Sequence, residues 1–211
     1  PDGSYISPAE FVPIAEECGL IIRIGEYALD RACRQLGEWH AAGIMLPHIC
    51  VNVAKAQLMS GDFVQTVKRV LDKHGVEPAS LELELSERGV LSGENDVIAQ
   101  LHELKGLGVR LSIDDFGTGD SAISYLRELP IDVLKIDRSY VAGLTDNDKD
   151  AALVSAMIAI GQRLKLEVVA EGVEHRDQLA LLRDLECDAF QGFLVSQPVP
   201  AREFVSLVRK P

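Results

Sequence analysis

Six apolar, β-branched runs punctuate the chain: His48–Ala54, Leu81–Ser86, Val109–Asp115, Ile131–Asp137, Leu166–Glu171 and Cys187–Phe193. Their length and composition predict strands. Segments with helical spacing lie before, between and after them. Pro8–Cys18 carries Phe11, Ile14, Ala15 and Cys18 on one face, with Ser7 as N-cap and proline at the first helical position. Further helices are predicted over Arg23–Ala42 (ended by Gly43), Asp62–His74 (by Gly75), Glu94–Leu107 (by Gly108), Arg176–Leu185 and Ala201–Val208. A short helix is expected over Ala122–Leu129 after the turn Gly117-Thr118-Gly119. The acidic stretch Asp146–Asp150 reads as a loop leading into a helix over Ala151–Leu164.

Strands that alternate with crossover helices form a parallel sheet. Two architectures fit, a β/α barrel and an open doubly wound sheet. A polar residue stands at or near the end of every run, rather than at one switch point, which favours the barrel, whose strands all deliver their C-terminal ends to one rim. A closed barrel has eight strands and six are legible here. The expectation is therefore one α/β domain over residues 1–211, a TIM-like barrel without its N-terminal strands.

The polar residues at the run ends are Asn52, Glu84, the pair Asp114 and Asp115, Lys135 with Asp137, Glu171, and Gln191. Side chains alternate across a strand. In Leu81–Leu85 the leucines share one face and Glu82 with Glu84 the other; Lys135 pairs with Asp137, and Ser112 with Asp114. The outer face of a barrel packs on helices, so the polar set faces the axis. Crowded carboxylates repel unless protonated or bridged by cations. Without histidine or cysteine beside them, these oxygen donors favour Mg²⁺ or Mn²⁺ over zinc. Two such ions suit in-line displacement at phosphorus, with Asp114-Asp115 as a candidate bridge. Lys135 is placed to orient or help deprotonate a water, or to offset charge on phosphate oxygens. Glu82 lies deeper and is read as a salt-bridge residue.

A net charge of −12 argues against nonspecific binding of a nucleic acid polymer. No run of about 18 apolar residues occurs, so nothing in the chain spans a membrane. The four cysteines have no short paired spacing and read as reduced thiols of a cytoplasmic protein.

The motifs DDFGTG (Asp114–Gly119), LKID (Leu134–Asp137), VVAEGVE (Val168–Glu174), QGF (Gln191–Phe193), VN (Val51-Asn52) and ELSE (Glu84–Glu87) resemble the EAL domain family in order and spacing. PAEFVPIAEECGLI (Pro8–Ile21) and SQPVP (Ser196–Pro200) resemble its flanks. The resemblance implies a β/α barrel that hydrolyses cyclic di-GMP to linear pGpG with two Mg²⁺ or Mn²⁺ ions, lowering the messenger in bacterial signalling. It implies metal ligation by Asn52, Glu84, Asp114, Asp115, Asp137 and Glu171. It also implies catalytic roles for Lys135, Glu171 and Gln191 at the nucleophilic water. Glu87 matches the glutamate that anchors the loop after DDFGTG and couples it to a homodimer interface. Fusion to upstream GGDEF or sensory domains, in a parent that can be membrane-anchored, is implied too. The family's Glu-Ala-Leu motif, with its metal-binding glutamate, is expected just before Pro1, so the chain by itself is expected to turn over weakly or not at all. Asp120 stands where the family favours tyrosine, Ala122 and Ala54 where it favours serine, Gln197 for a frequent arginine and His175 for a frequent threonine. None of these positions is a metal ligand.

Three other functions compete with hydrolysis. One is a degenerate domain that senses cyclic di-GMP without cleaving it. The second is a protein-interaction scaffold, which has no need of Lys135 and the acidic set. The third is an enolase-type metal-assisted barrel, in which the DDFGTG loop has no role.

Overall fold

The structure is a computed structural model and describes residues 6–91, 95–118 and 126–208. Gly119, Asp120, Ala122 and the first half of the helix expected over Ala122–Leu129 lie outside the described residues. The strands are β1 Ile49–Val53, β2 Leu81–Ser86, β3 Arg110–Phe116, β4 Val133–Ile136, β5 Glu167–Glu171 and β6 Ala189–Gln191. The helices are α1 Pro8–Glu17, α2 Ile21–Ala41, α3 Lys55–Leu58, α4 Phe63–His74, α5 Glu87–Leu91, α6 Asn95–Leu107, α7 Arg138–Ala142, α8 Asp148–Leu164, α9 Arg176–Asp184 and α10 Ala201–Val208. All six strands are parallel and lie in sequence order from β1 to β6. The sheet curls with helices outside it, a TIM-like β/α barrel architecture with six of the eight strands that closure takes.

The alternation seen in the sequence sets the two faces. Leu81, Leu83, Leu85, Leu111, Ile113, Leu134, Ile136 and Val168 are all buried in the core beneath the helices. Each contributes about 1.5–3 kcal/mol relative to an exposed side chain. Val97, Leu101 and Leu104 of α6, and Phe63, Val67, Val70 and Leu71 of α4, meet them at helical spacing. α8 lies so close to β5 that a Cβ on Gly161 would stand 2.3 Å from Val168 Cγ2, so only glycine fits there.

Part of the acidic stretch is helix rather than loop. α8 starts at Asp148, because the Asn147 side chain accepts from Lys149 N at 3.0 Å and Asp148 and Asp150 suit the positive end of the helix dipole. The turns α3, α5 and α7 follow directly on strands β1, β2 and β4; they are too short for a periodic apolar pattern to reveal. Two aspartates pin the strand ends opposite the rim: Asp132 Oδ2 accepts from Leu111 N and Asp188 Oδ2 from Val168 N, each at 2.8 Å.

Asp30 ties α2 to α4, accepting from Lys73 Nζ at 2.6 Å and His74 Nε2 at 3.0 Å. Those bonds, Lys73 first, hold its carboxyl below the ordinary value. A depressed carboxyl stabilises the fold above the unfolded value near 3.9, and that contribution fades as pH falls through the folded one. Asp30→Asn is expected to lower the urea midpoint slightly at neutral pH, with the gap to the parent narrowing below about pH 4. An equal gap at both pH values would exclude this linkage.

Candidate active site

The inward face of the sheet carries two polar layers. The lower one is an ion-pair floor. Glu82 is 3% exposed and faces Arg110 across β2 and β3; Arg110 Nε donates to its Oε2 at 3.0 Å. The same guanidinium reaches past β4 to Glu167 Oε2 on β5, at 2.6 Å. Glu82 is thus the salt-bridge residue expected from its depth. Arg110 and Glu167 had not been singled out. Extending the period of two back from Asp114 through Ser112, and from Glu171 through Val169, would have found both.

The upper layer is the rim. Lys135 of β4 is 4% exposed, and its Nζ stands 2.6 Å from Glu84 Oε1 of β2 and 2.5 Å from Glu171 Oε1 of β5. Asp114 Oδ1 of β3 is 3.7 Å away. Asn52 of β1 extends the chain, its Nδ2 donating to Glu84 Oε2 at 3.0 Å. Five strands therefore meet around one ammonium. Burial alone would lower the Lys135 pKa; the Glu84 charge and the bonds that Lys135 donates to Glu171 and Glu84 outweigh it and push the pKa up. Glu171 is held above the ordinary carboxylate value by burial first, partly offset by Lys135.

Adjacent strand residues point to opposite faces, so Asp114 and Asp115 cannot both serve the rim in a regular strand. A β-bulge resolves this. Between the pairs Ile113↔Leu134 and Phe116↔Ile136, β3 has one more residue than β4. Asp115 takes a left-handed φ of 55°, which Asp tolerates better than most side chains. Its carboxyl then lies beside that of Asp137, the N-cap of α7, which accepts from Ser139 N at 3.0 Å. Burial, then the charges of Asp114 and Asp137, push the Asp115 carboxyl up. Burial pulls Asp137 the same way, but the bonds from Ser139 and from Asp115 outweigh it and hold Asp137 down. Two neighbouring carboxylates are thus pushed in opposite directions by their surroundings at one end of the rim.

Glu87, buried at the start of α5, accepts from Gly117 N at 2.9 Å and so holds the turn after β3. Arg88 Nη2 reaches Thr118 O at 3.5 Å. Gln191 stands beside Glu171 in the β5–β6 register, and it also borders a mostly apolar groove of about 680 Å³ with Phe193, Pro198 and Phe204. The Lys135 network and the Asp115–Asp137 pair thus bring together Asn52, Glu84, Asp114, Glu171, Asp115 and Asp137 as two neighbouring groups.

Among the described residues, one set of three metal-ligating side chains has its ligand atoms all within 4.8 Å, and it lies at the floor: His48, Cys50 and Glu82. It fits a cation poorly. Glu82 Oε2 is already engaged by the Arg110 guanidinium, and burial first, then Glu82 and Glu84, keep the Cys50 thiol protonated. Among the described residues at the rim, five carboxylates (Glu84, Asp114, Asp115, Asp137, Glu171) gather around one ammonium, with Asn52 beside them. That excess of hard negative donors fits divalent cations such as Mg²⁺ or Mn²⁺.

Residues 1–198 match the family described as EAL domain. The chain is 41% identical over 208 residues to the bifunctional diguanylate cyclase/cyclic di-GMP phosphodiesterase MucR of Pseudomonas aeruginosa, covering 99% of this chain and 30% of that protein. It is 39% identical over 209 residues to the cyclic di-GMP phosphodiesterase NbdA of the same species, covering 99% of this chain and 27% of NbdA. The chain thus spans less than a third of the length of these relatives. Among solved structures, the MucR phosphodiesterase in complex with c-di-GMP superposes with a TM-score of 0.92 at 42% identity, over 97% of this chain and 83% of that one. The EAL enzyme Bd1971 bound to cAMP and cyclic-di-GMP superposes with a TM-score of 0.93 at 32% identity, over 99% and 57%.

Proposed function

For a chain that belongs to the EAL domain family, we propose a metal-dependent phosphodiesterase that opens cyclic di-GMP to linear pGpG. The observation that carries the reading is Lys135, an ammonium held between Glu84 and Glu171 with Asp114 beside it, at the rim of the sheet. In this reading Asn52, Glu84, Asp114, Asp115, Asp137 and Glu171 hold two Mg²⁺ or Mn²⁺ ions. Such ions polarise the phosphodiester and lower the pKa of a bound water. Lys135 orients or helps deprotonate the attacking water, or offsets charge on the phosphate oxygens. Glu171 anchors Lys135 from β5. Gln191 has a supporting place beside Glu171, on the groove side of the rim. Glu87 anchors the turn that follows the aspartate pair.

In the same reading the domain works as a homodimer within a longer signalling protein carrying GGDEF or sensory domains. No helix among the described residues is long and apolar enough to cross a membrane.

The test uses this chain and, beside it, the same chain extended by the residues that precede it in its gene. With Mg²⁺ or Mn²⁺ the extended form is expected to convert cyclic di-GMP to pGpG, followed by chromatography, and EDTA is expected to stop it. Tight binding by calorimetry without product would leave a sensor in place of an enzyme. Absence of both binding and turnover would remove cyclic di-GMP from the reading altogether.

A further inference from the structure

The turn that follows the aspartate pair is held from both sides at Gly117. Its N–H donates to Glu87 Oε2, and its carbonyl accepts from the hydroxyl of Tyr140. Both main-chain polar groups of one residue are thus bound by side chains from other elements, α5 and α7. Gly117 has a φ of 100°, and a Cβ there would lie 2.5 Å from Met157 Cε and 2.9 Å from Tyr140 Cε2. The ring and Met157 therefore close against the turn and leave it no space to relax toward them. Thr118 adds a local bond, its Oγ1 donating to Asp115 O at 2.9 Å.

α7 serves the same pair twice. Its N-cap is Asp137, beside which the Asp115 carboxyl lies; one turn later Tyr140 reaches back to Gly117, two residues beyond Asp115. Asp115 keeps a left-handed backbone that non-glycine residues hold only where their surroundings enforce it. A carboxylate in that position is only as well placed as the turn behind it. We infer that Tyr140 is a positioning residue: its hydroxyl, acting through the Gly117 carbonyl, sets the distance between Asp115 and Asp137 and with it the affinity of that half of the rim for a divalent cation. The inference rests on the metal reading of the rim proposed above.

Mn²⁺ binding, followed by electron paramagnetic resonance on the chain, tests it with Tyr140→Phe, which removes one oxygen and keeps the ring. Groups that orient metal ligands from behind typically change affinity by about 10-fold or more, so the weaker of two Mn²⁺ sites is expected to lose about 10-fold while the tighter is unchanged. In the extended form the Mn²⁺ activation constant should rise by the same factor, with kcat at saturating Mn²⁺ and KM for cyclic di-GMP preserved. A lower unfolding midpoint with both Mn²⁺ affinities unaltered would mean that the hydroxyl only supports the fold, and would overturn the inference. So would a fall in kcat that excess Mn²⁺ does not restore. If the parent chain takes up no Mn²⁺ at either site, the metal reading itself fails and this inference with it; parent binding matched by the variant fails the inference alone.

Discussion

Lys135→Ala is expected to reduce turnover of cyclic di-GMP by at least about 10²–10³-fold, the usual loss when one preorganised donor is removed from a site of developing charge. The same substitution should disturb the fold in a way that identifies the cause. Lys135 is the ammonium between Glu84 and Glu171, both largely buried, with Asp114 nearby. Breaking a buried ion pair by deleting one partner costs about 3–5 kcal/mol, because the remaining charge has no compensation. That penalty belongs to the ionised carboxylates. Glu171 already titrates above the ordinary value through burial, and without Lys135 it moves further up. A raised carboxyl destabilises the fold above its own pKa and is relieved as pH falls through it. The variant should therefore approach the parent in urea unfolding as the solution is acidified, and Mn²⁺ should restore part of the loss at neutral pH. Retained turnover in Lys135→Ala would remove the lysine from the reaction. A stability deficit independent of pH and Mn²⁺ would show that lost packing, not charge, is responsible.

The second large effect concerns the floor. Arg110→Met is expected to destabilise the chain by about 3–5 kcal/mol, since Glu82 is buried and takes its guanidinium bond from Arg110. Glu167 contributes less, being more than one-third exposed and able to turn to solvent. Replacing the pair together, Glu82→Leu with Arg110→Met, should recover most of the loss, because two apolar side chains of similar size leave no orphaned charge. Urea midpoints of the parent, the single variant and the double variant measure it. A single variant that unfolds with the parent would mean that water already solvates the floor. The rim lies one layer above, so the double variant is expected to keep its Mn²⁺ affinity.

The strands were the most legible feature of the chain. Leu81–Leu85 alternates leucine and glutamate along β2, so the pleat alone sends the two sets to opposite faces; both sets are buried, the leucines in the apolar core and the glutamates in ion pairs with Arg110 and Lys135. Glycine stops and the Ser7 cap located α1, α4 and α6 for similarly local reasons. Short turns such as α5 and α7 were invisible, because one turn of helix carries no period to detect. At the site, strand phase accounts for the meeting of Glu84, Lys135 and Glu171 on one face, since each stands on a regular strand. Asp115 was not derivable in that way. In phase with its strand it would point away from Asp114, and its place at the rim depends on a bulge visible only against the register of β4. Tyr140 carried no signal, because a tyrosine on a one-turn helix gives no hint of the carbonyl 23 residues back that it binds. Gln191 ends β6 next to Glu171, and the groove it also borders is one that the sequence could not show.

The sequence by itself determined the parallel β/α order, the apolar and polar faces of each strand, and the supply of hard oxygen donors at the strand ends. These are consequences of spacing along one chain, where a period of two or of 3.6 residues is set by backbone geometry. Tertiary structure alone decided which donors meet. Lys135 touches residues 51 and 36 positions away, Arg110 spans from β2 to β5, and one inserted residue turns Asp115 toward Asp137. Those contacts depend on register between strands and on the curl of the sheet, to which many remote side chains contribute and which no local pattern records.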